Sequence, residues 1–241
     1  MEKIWIITKR ELNAYFDSLI AFIMLVLFLG FSGFFTWISG NDIFLSGQAS
    51  LRPFFSIAYW TLFFFIPALT MRMLAEENKT GTIEMLLTKP VTDRQVILGK
   101  YIATLILISI ALALTFPYVI TVSRLGNIDA GAVICGYLAL LFISAAYTSI
   151  GLFTSSITNN QIVAFLSALF IGLFFHILFQ IISGGMKGLP GQVFNTLSMT
   201  VHFDSLSRGV LDLKDIVYFC SIIFFGLFLT EVSLAKRNAF N

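Results

Sequence analysis

Charge is scarce in this 241-residue chain: 12% of its residues are Asp, Glu, Lys or Arg, and the 15 basic residues nearly cancel the 13 acidic ones. Soluble domains carry about twice that fraction, so no separate water-facing enzyme domain fits. A net charge of +2 is no electrostatic footprint for nucleic acid. Cysteine is scarce too. Cys135 and Cys220 both fall within apolar runs, where a thiol packs as a small hydrophobe, so neither a disulfide framework nor a thiolate metal site is indicated. A phosphate-cradling loop is missing. The only Gly-Lys pair, Gly99-Lys100, has Arg94 where the loop's first glycine should stand and Tyr101 where its hydroxyl should be. The sequence therefore offers no catalytic residue, no metal site and no cofactor of its own.

What is present is apolar. Hydrophobic residues make up 58% of the chain, 27 of them Phe. A bilayer core about 30 Å thick takes about 20 apolar residues per helix, because lipid offers no partner to backbone N–H and C=O groups. Six runs meet that requirement, at 18–39, 54–74, 101–123, 130–154, 161–182 and 216–234. The first is too long for the core of a signal peptide, and no small-residue cleavage pattern follows it. The fold class expected is an all-α membrane protein, a single six-span bundle over 1–241. Pro67 and Pro117 are expected to kink the second and third spans.

Six spans put both termini on one side, and the side richer in Lys and Arg is expected to be cytoplasmic. Ten basic residues fall with the termini and the second connection: Lys3, Lys9, Arg10, Arg72, Lys79, Lys89, Arg94, Lys100, Lys236 and Arg237. Five fall opposite: Arg52, Arg124, Lys187, Arg208 and Lys214. The long connection 183–215 is either a re-entrant segment packed on protein or a surface loop. Only His176, with Gln180 one turn on, stands as an ionisable group well inside a span, and His202 is expected at a different depth with no acid clustered near either.

Before the first span, Ile4, Trp5, Leu12, Tyr15 and Phe16 share one face of a helix over 1–17, with Lys3, Arg10, Asn13 and Asp17 opposite. That is the pattern of a helix lying in the membrane interface. Between the second and third spans, 75–99 carries its own punctuation. Gly81 breaks the helix leaving the second span, 82–87 can form one short turn, and Pro90 stops it. Thr92 with Gln95 then has capping-box spacing, and Asp93 suits the helix N-terminus. The short piece sets Ile83, Met85, Leu86 and Leu87 beside Glu76, Glu77 and Glu84. Such a surface either docks a soluble partner or rests on the bilayer.

The run Glu76-Glu77-x-x-x-Gly81-Thr82-x-Glu84-x-Leu86-Leu87-x-x-Pro90, followed by Gly99-Lys100, resembles the coupling segment of ABC-2-type permeases. Lys9-Arg10-Glu11-Leu12-x-x-Tyr15-Phe16 resembles the amphipathic helix that opens the family's chains. His202-Phe203-x-x-x-x-Arg208-Gly209-Val210-x-Asp212 resembles the closing part of the permease subunit of the gliding-motility-associated ABC transporter. The resemblance implies a non-catalytic permease subunit in the bacterial inner membrane, with a second permease copy, a cytoplasmic ABC ATPase that holds the ATP and magnesium, and an auxiliary membrane subunit with a large extracytoplasmic part. It implies that Glu76, Glu77, Gly81, Thr82, Ile83, Glu84, Leu86, Leu87 and Pro90 form or shape the docking surface. The function expected is ATP-driven export or force transmission. The rival is an ion-coupled secondary transporter or channel, which needs paired charges and broken helices near mid-membrane.

Overall fold

A computed structural model describes residues 2–39, 47, 49–81 and 91–240, the last four in backbone only. Among the described residues every regular element is helical. Six stretches are long and apolar enough to cross a membrane: Ile20–Trp37, Arg52–Thr80, Asp93–Leu125, Ala130–Ile157, Gln161–Gly185 and Leu213–Lys236. The last five contain the runs expected for them and extend beyond them at one or both ends, while the first, Ile20–Trp37, lies within the expected 18–39.

In chain order, α1 (Glu2–Asp17) leads into α2 (Ile20–Trp37). The second span is α3 (Arg52–Thr70), followed by a turn and the short α4 (Ala75–Thr80). The third is broken into α5 (Asp93–Ala113) and α6 (Phe116–Leu125). The fourth is α7 (Ala130–Ile157). The fifth comprises α8 (Gln161–Leu173), a single π-helical turn (Phe174–Leu178) and α9 (Phe179–Gly185). Two short helices, α10 (Leu189–Leu197) and α11 (Met199–Ser207), precede the last span, α12 (Leu213–Phe240).

The centre of the bundle is α7, against which α3, α5, α8, α11 and α12 all pack. Leu140, Ile143, Tyr147 and Leu152 are buried there together with Ser144, Thr148, Ser149 and Thr154. In lipid, apolar burial alone gives helices little reason to associate, and small residues that allow close approach take over. Three of the hydroxyls bond to carbonyls of the same helix, Ser144 to Leu140 at 2.6 Å, Ser149 to Ala146 at 2.7 Å and Thr154 to Gly151 at 3.0 Å, so they are buried with a partner. Where α7 crosses α3, a Cβ on Gly151 would lie 2.0 Å from Thr70 Oγ1. The two helices touch there backbone to side chain.

Proline acts at both expected places in different ways. The third span breaks at Leu114 and Thr115, and Pro117 sits in the first turn of α6, where a missing N–H costs nothing. The second span runs through Pro67 and ends three residues later, at Thr70. The segment 183–215 is largely helical, with α10 mostly exposed. Helix α11 buries Met199, His202, Phe203 and Leu206 against the bundle. The π-helical turn meets α11 here: Tyr59 stacks on His176 at 4.0 Å and on Phe203 at 4.4 Å, and Thr200 donates a hydrogen bond to the His176 carbonyl. Of the cysteines, Cys135 is buried as expected, while Cys220 is exposed on α12.

Candidate functional site

The second connection is anchored before it begins. The turn after α3 leaves backbone N–H groups without helical partners, and the end of α7 supplies them. Ser155 Oγ accepts from Leu74 N at 3.1 Å and Ala75 N at 3.0 Å, and donates to the Met71 carbonyl at 3.0 Å. One residue on, the Ser156 carbonyl accepts from Asn78 Nδ2 at 3.3 Å. Helix α4 then stops at Gly81, whose φ of +70° is a left-handed cap that glycine adopts without strain. On the return side the capping box is formed in full, with Gln95 N donating to Thr92 Oγ1 at 3.4 Å and Thr92 N to Gln95 Oε1 at 3.3 Å.

Two turns into α5, Lys100 is buried, 2% exposed, between α1 and α4. Its Nζ lies 2.7 Å from Glu77 Oε1 and 3.3 Å from Glu11 Oε1. Arg10 pairs with Glu11 and stands 3.7 Å from Glu77, so two cations meet two carboxylates. Helix α1 comes this close because of Gly99. A Cβ there would meet Ile7 Cγ2 at 2.5 Å, and in its absence Thr8 Oγ1 donates to the Gly99 carbonyl at 3.2 Å. Farther along, the Tyr15 hydroxyl meets Thr104 Oγ1 at 3.3 Å and the Leu69 carbonyl at 3.4 Å, and burial pushes its phenol up to about 12.

Burial alone raises the Glu11 carboxyl, but Lys100 and Arg10 outweigh it and hold the group below its ordinary 4.5. A folded value below the unfolded one means that the stabilisation is whole above pH 4.5 and is lost as pH falls through the lower, folded value. Unfolding followed in detergent is therefore expected to show a loss of stability below pH 4.5, and Glu11→Gln is expected to flatten that slope.

At the opposite end of the bundle, a second ion pair joins α11 to α12. His202 Nδ1 lies 2.6 Å from Asp215 Oδ1, and Nε2 lies 2.9 Å from the Thr196 carbonyl. Both ring nitrogens thus face oxygen atoms of neighbouring groups. Tyr218 stacks on the imidazole at 4.0 Å and bonds the Leu197 carbonyl at 2.5 Å. Just beyond, Gly209 turns the chain with φ of +89° against the backbone of Ala132.

Residues 40–235 match the family described as ABC-2 family transporter protein. The chain belongs to that family. It is accordingly a multi-pass membrane protein, the permease of an ABC transporter, and membership implies partnership with a cytoplasmic ABC ATPase. No curated protein matches it by sequence.

In this ABC-2 permease the expected docking residues part company. Glu76 is exposed on α4, whereas Glu77 is turned inward onto Lys100 and is not among the outward charges. Thr82, Ile83, Glu84, Leu86, Leu87 and Pro90 lie outside the described residues. On α1, Tyr15 is buried, Leu12 and Phe16 are half-buried, and Trp5 is 60% exposed. The face that packs on α5 holds Ile4, Ile7, Thr8, Glu11 and Tyr15, rotated roughly 60° from the apolar stripe at 100° per residue. Lys100 belongs to the buried interior and not, as its place in the loop charge count had it, to the aqueous side. The paired acid Asp215 was missed because it stands only three positions after Asp212, in a stretch that reads as a polar loop. The signal was its position at the head of an apolar run, where a carboxylate has to find a partner.

Proposed function

We propose that this ABC-2 permease couples ATP hydrolysis by a separate cytoplasmic ATPase to export, with residues 82–90 as the docking element and the termini in the bacterial cytoplasm. The observation that supports this most is the anchoring of the connection on both flanks. Helix α4 is tied to α7 through Ser155 and Ser156, and to α1 and α5 through Glu77 and Lys100. A push on the tip of such a connection reaches three spans together with α1, which is the property an energy-coupling element needs. A second permease copy completes the pathway, and ATP and magnesium sit in the ATPase. The stretch from His202 to Asp212 supports the finer assignment to the gliding-motility type, with an auxiliary subunit on the far side and force transmission as an output.

The buried charges do not revive an ion-coupled transporter. Lys100 is locked between two carboxylates two turns from the start of α5, while that mechanism wants its charges near the middle of the span. Co-expression with the candidate ATPase and pull-down in detergent is expected to recover both chains. Glu84→Lys with Leu86→Lys is expected to cut recovery at least tenfold, about 1.4 kcal/mol or more of binding, with membrane insertion unchanged. Undiminished recovery of the double variant, with unchanged stimulation of ATP hydrolysis, would remove residues 82–90 from the docking role.

A further inference from the structure

The end of the bundle away from α4 holds a cavity of about 650 Å³, walled by α3, the π-helical turn, α9 and α11. That is ample for a headgroup and several methylenes. Arg52 and Arg208 stand at it with a single acid, Asp204, and the lining beneath them is aromatic, from Phe55, Tyr59, Trp60 and Phe203. Arg208 Nε donates to the Asp204 carbonyl at 3.0 Å, which takes one of the guanidinium's five donors. Burial raises the Asp204 carboxyl against the opposing pull of Arg208.

The floor of the cavity carries two further features. The His176 ring is stacked on Tyr59 and bonded at Nδ1 by the Tyr147 hydroxyl at 2.6 Å, yet its buried Nε2 has no partner. Leaving a buried polar atom unmet costs about 1–3 kcal/mol, so such atoms are few in native proteins and call for a physical reason. The same histidine is the middle residue of the π-helical turn, an interruption of the helical ladder that recurs at functional sites. The residue that carries both features lines the cavity.

We propose that this cavity binds an anionic amphiphile, its phosphate or carboxylate headgroup on Arg52 and Arg208 and its apolar chain along Trp60 and Phe55. Two planar guanidiniums select an oxyanion by paired hydrogen bonds, and the aromatic wall selects against a free inorganic ion. As the site of cargo the assignment rests on the permease reading above. As a binding site it stands without it.

The chain contains three tryptophans, so Trp5→Phe with Trp37→Phe leaves Trp60 as the sole reporter. In mild detergent, phosphatidylglycerol with brominated chains is expected to quench Trp60 saturably, with an apparent Kd about tenfold below that of brominated phosphatidylcholine. Arg52→Gln with Arg208→Gln is expected to abolish the difference. Equal quenching by the two lipids, or an unchanged preference in the double variant, overturns the site. Inorganic phosphate at millimolar concentration serves as the competing probe. No displacement is expected, which assigns recognition to anion and chain together; displacement overturns the role given to the chain and the aromatic wall. In the complex with the ATPase, phosphatidylglycerol is expected to raise ATP hydrolysis, and the double variant to lose that response. Binding without stimulation in a complex that hydrolyses ATP overturns the cargo assignment and leaves the site. Failure to form the complex counts against the coupling reading and leaves the binding result standing.

Discussion

Lys100→Met is expected to lower the unfolding free energy by about 3–5 kcal/mol, the range for removing one partner of a buried ion pair. The charge lost is 2% exposed, and the two carboxylates it leaves, Glu11 and Glu77, are 15% and 18% exposed. At 3–4 Å, attraction in an effective dielectric of about 20 is worth about 4 kcal/mol per pair, most of it offset by the cost of taking the ions out of water. The damage in the variant thus comes from stranded carboxylates more than from lost attraction. Arg10 relieves part of it, being already in contact with Glu11. The check is denaturant or thermal unfolding in detergent of Lys100→Met beside the triple variant that adds Glu11→Gln and Glu77→Gln. The triple variant is expected to recover more than half of the loss. A single variant within about 1 kcal/mol of wild type, the size of an exposed pair, would mean that the cluster does not clamp α4.

His202→Ala carries the other large effect, again about 3–5 kcal/mol. Asp215 is 0% exposed, and Oδ2 already lacks a partner, so taking His202 away strands the whole carboxylate at the junction of α11 and α12. Asp215→Asn is expected to cost less, since its amide oxygen still accepts from Nδ1. Replacing both residues by Leu is expected to return most of the loss, as buried pairs exchanged for apolar side chains commonly do. Unfolding curves of the four proteins in one detergent test the order, which fails if Asn is the worst of them.

The spans were legible because a lipid-crossing helix announces itself by length and apolarity alone, without reference to its neighbours. Local punctuation was equally legible. The left-handed cap at Gly81 and the capping box from Thr92 to Gln95 depend only on residues within one turn of each other. What the sequence hid is what depends on distant partners. The face of α1 that meets α5 is decided by Gly99, 91 residues from Thr8 along the chain. Glu77 reads as a surface charge until Lys100 is brought back beside it, and Asp215 reads as loop until α11 folds onto α12. In each case an ion pair or a missing Cβ, invisible to periodicity, overrode the apolar pattern. The residues between Gly81 and Val91 that are proposed to dock lie outside the described part and rest on the sequence.

The offset between the apolar stripe of α1 and the face it buries has a consequence for synthesis. A ribosome adding about 5–20 residues per second needs roughly 5–18 seconds to extend the chain from Thr8 to Gly99, the 91 residues that separate the two partners. Throughout that interval α1 has no α5 to lie against. Trp5, Leu12 and Phe16 suit a helix resting on the membrane, whereas Thr8, Glu11 and Tyr15 suit the finished protein. The helix carries two interfaces roughly two thirds of a right angle apart, one suited to waiting and one to assembly, and only a roll about its own axis would turn the first into the second.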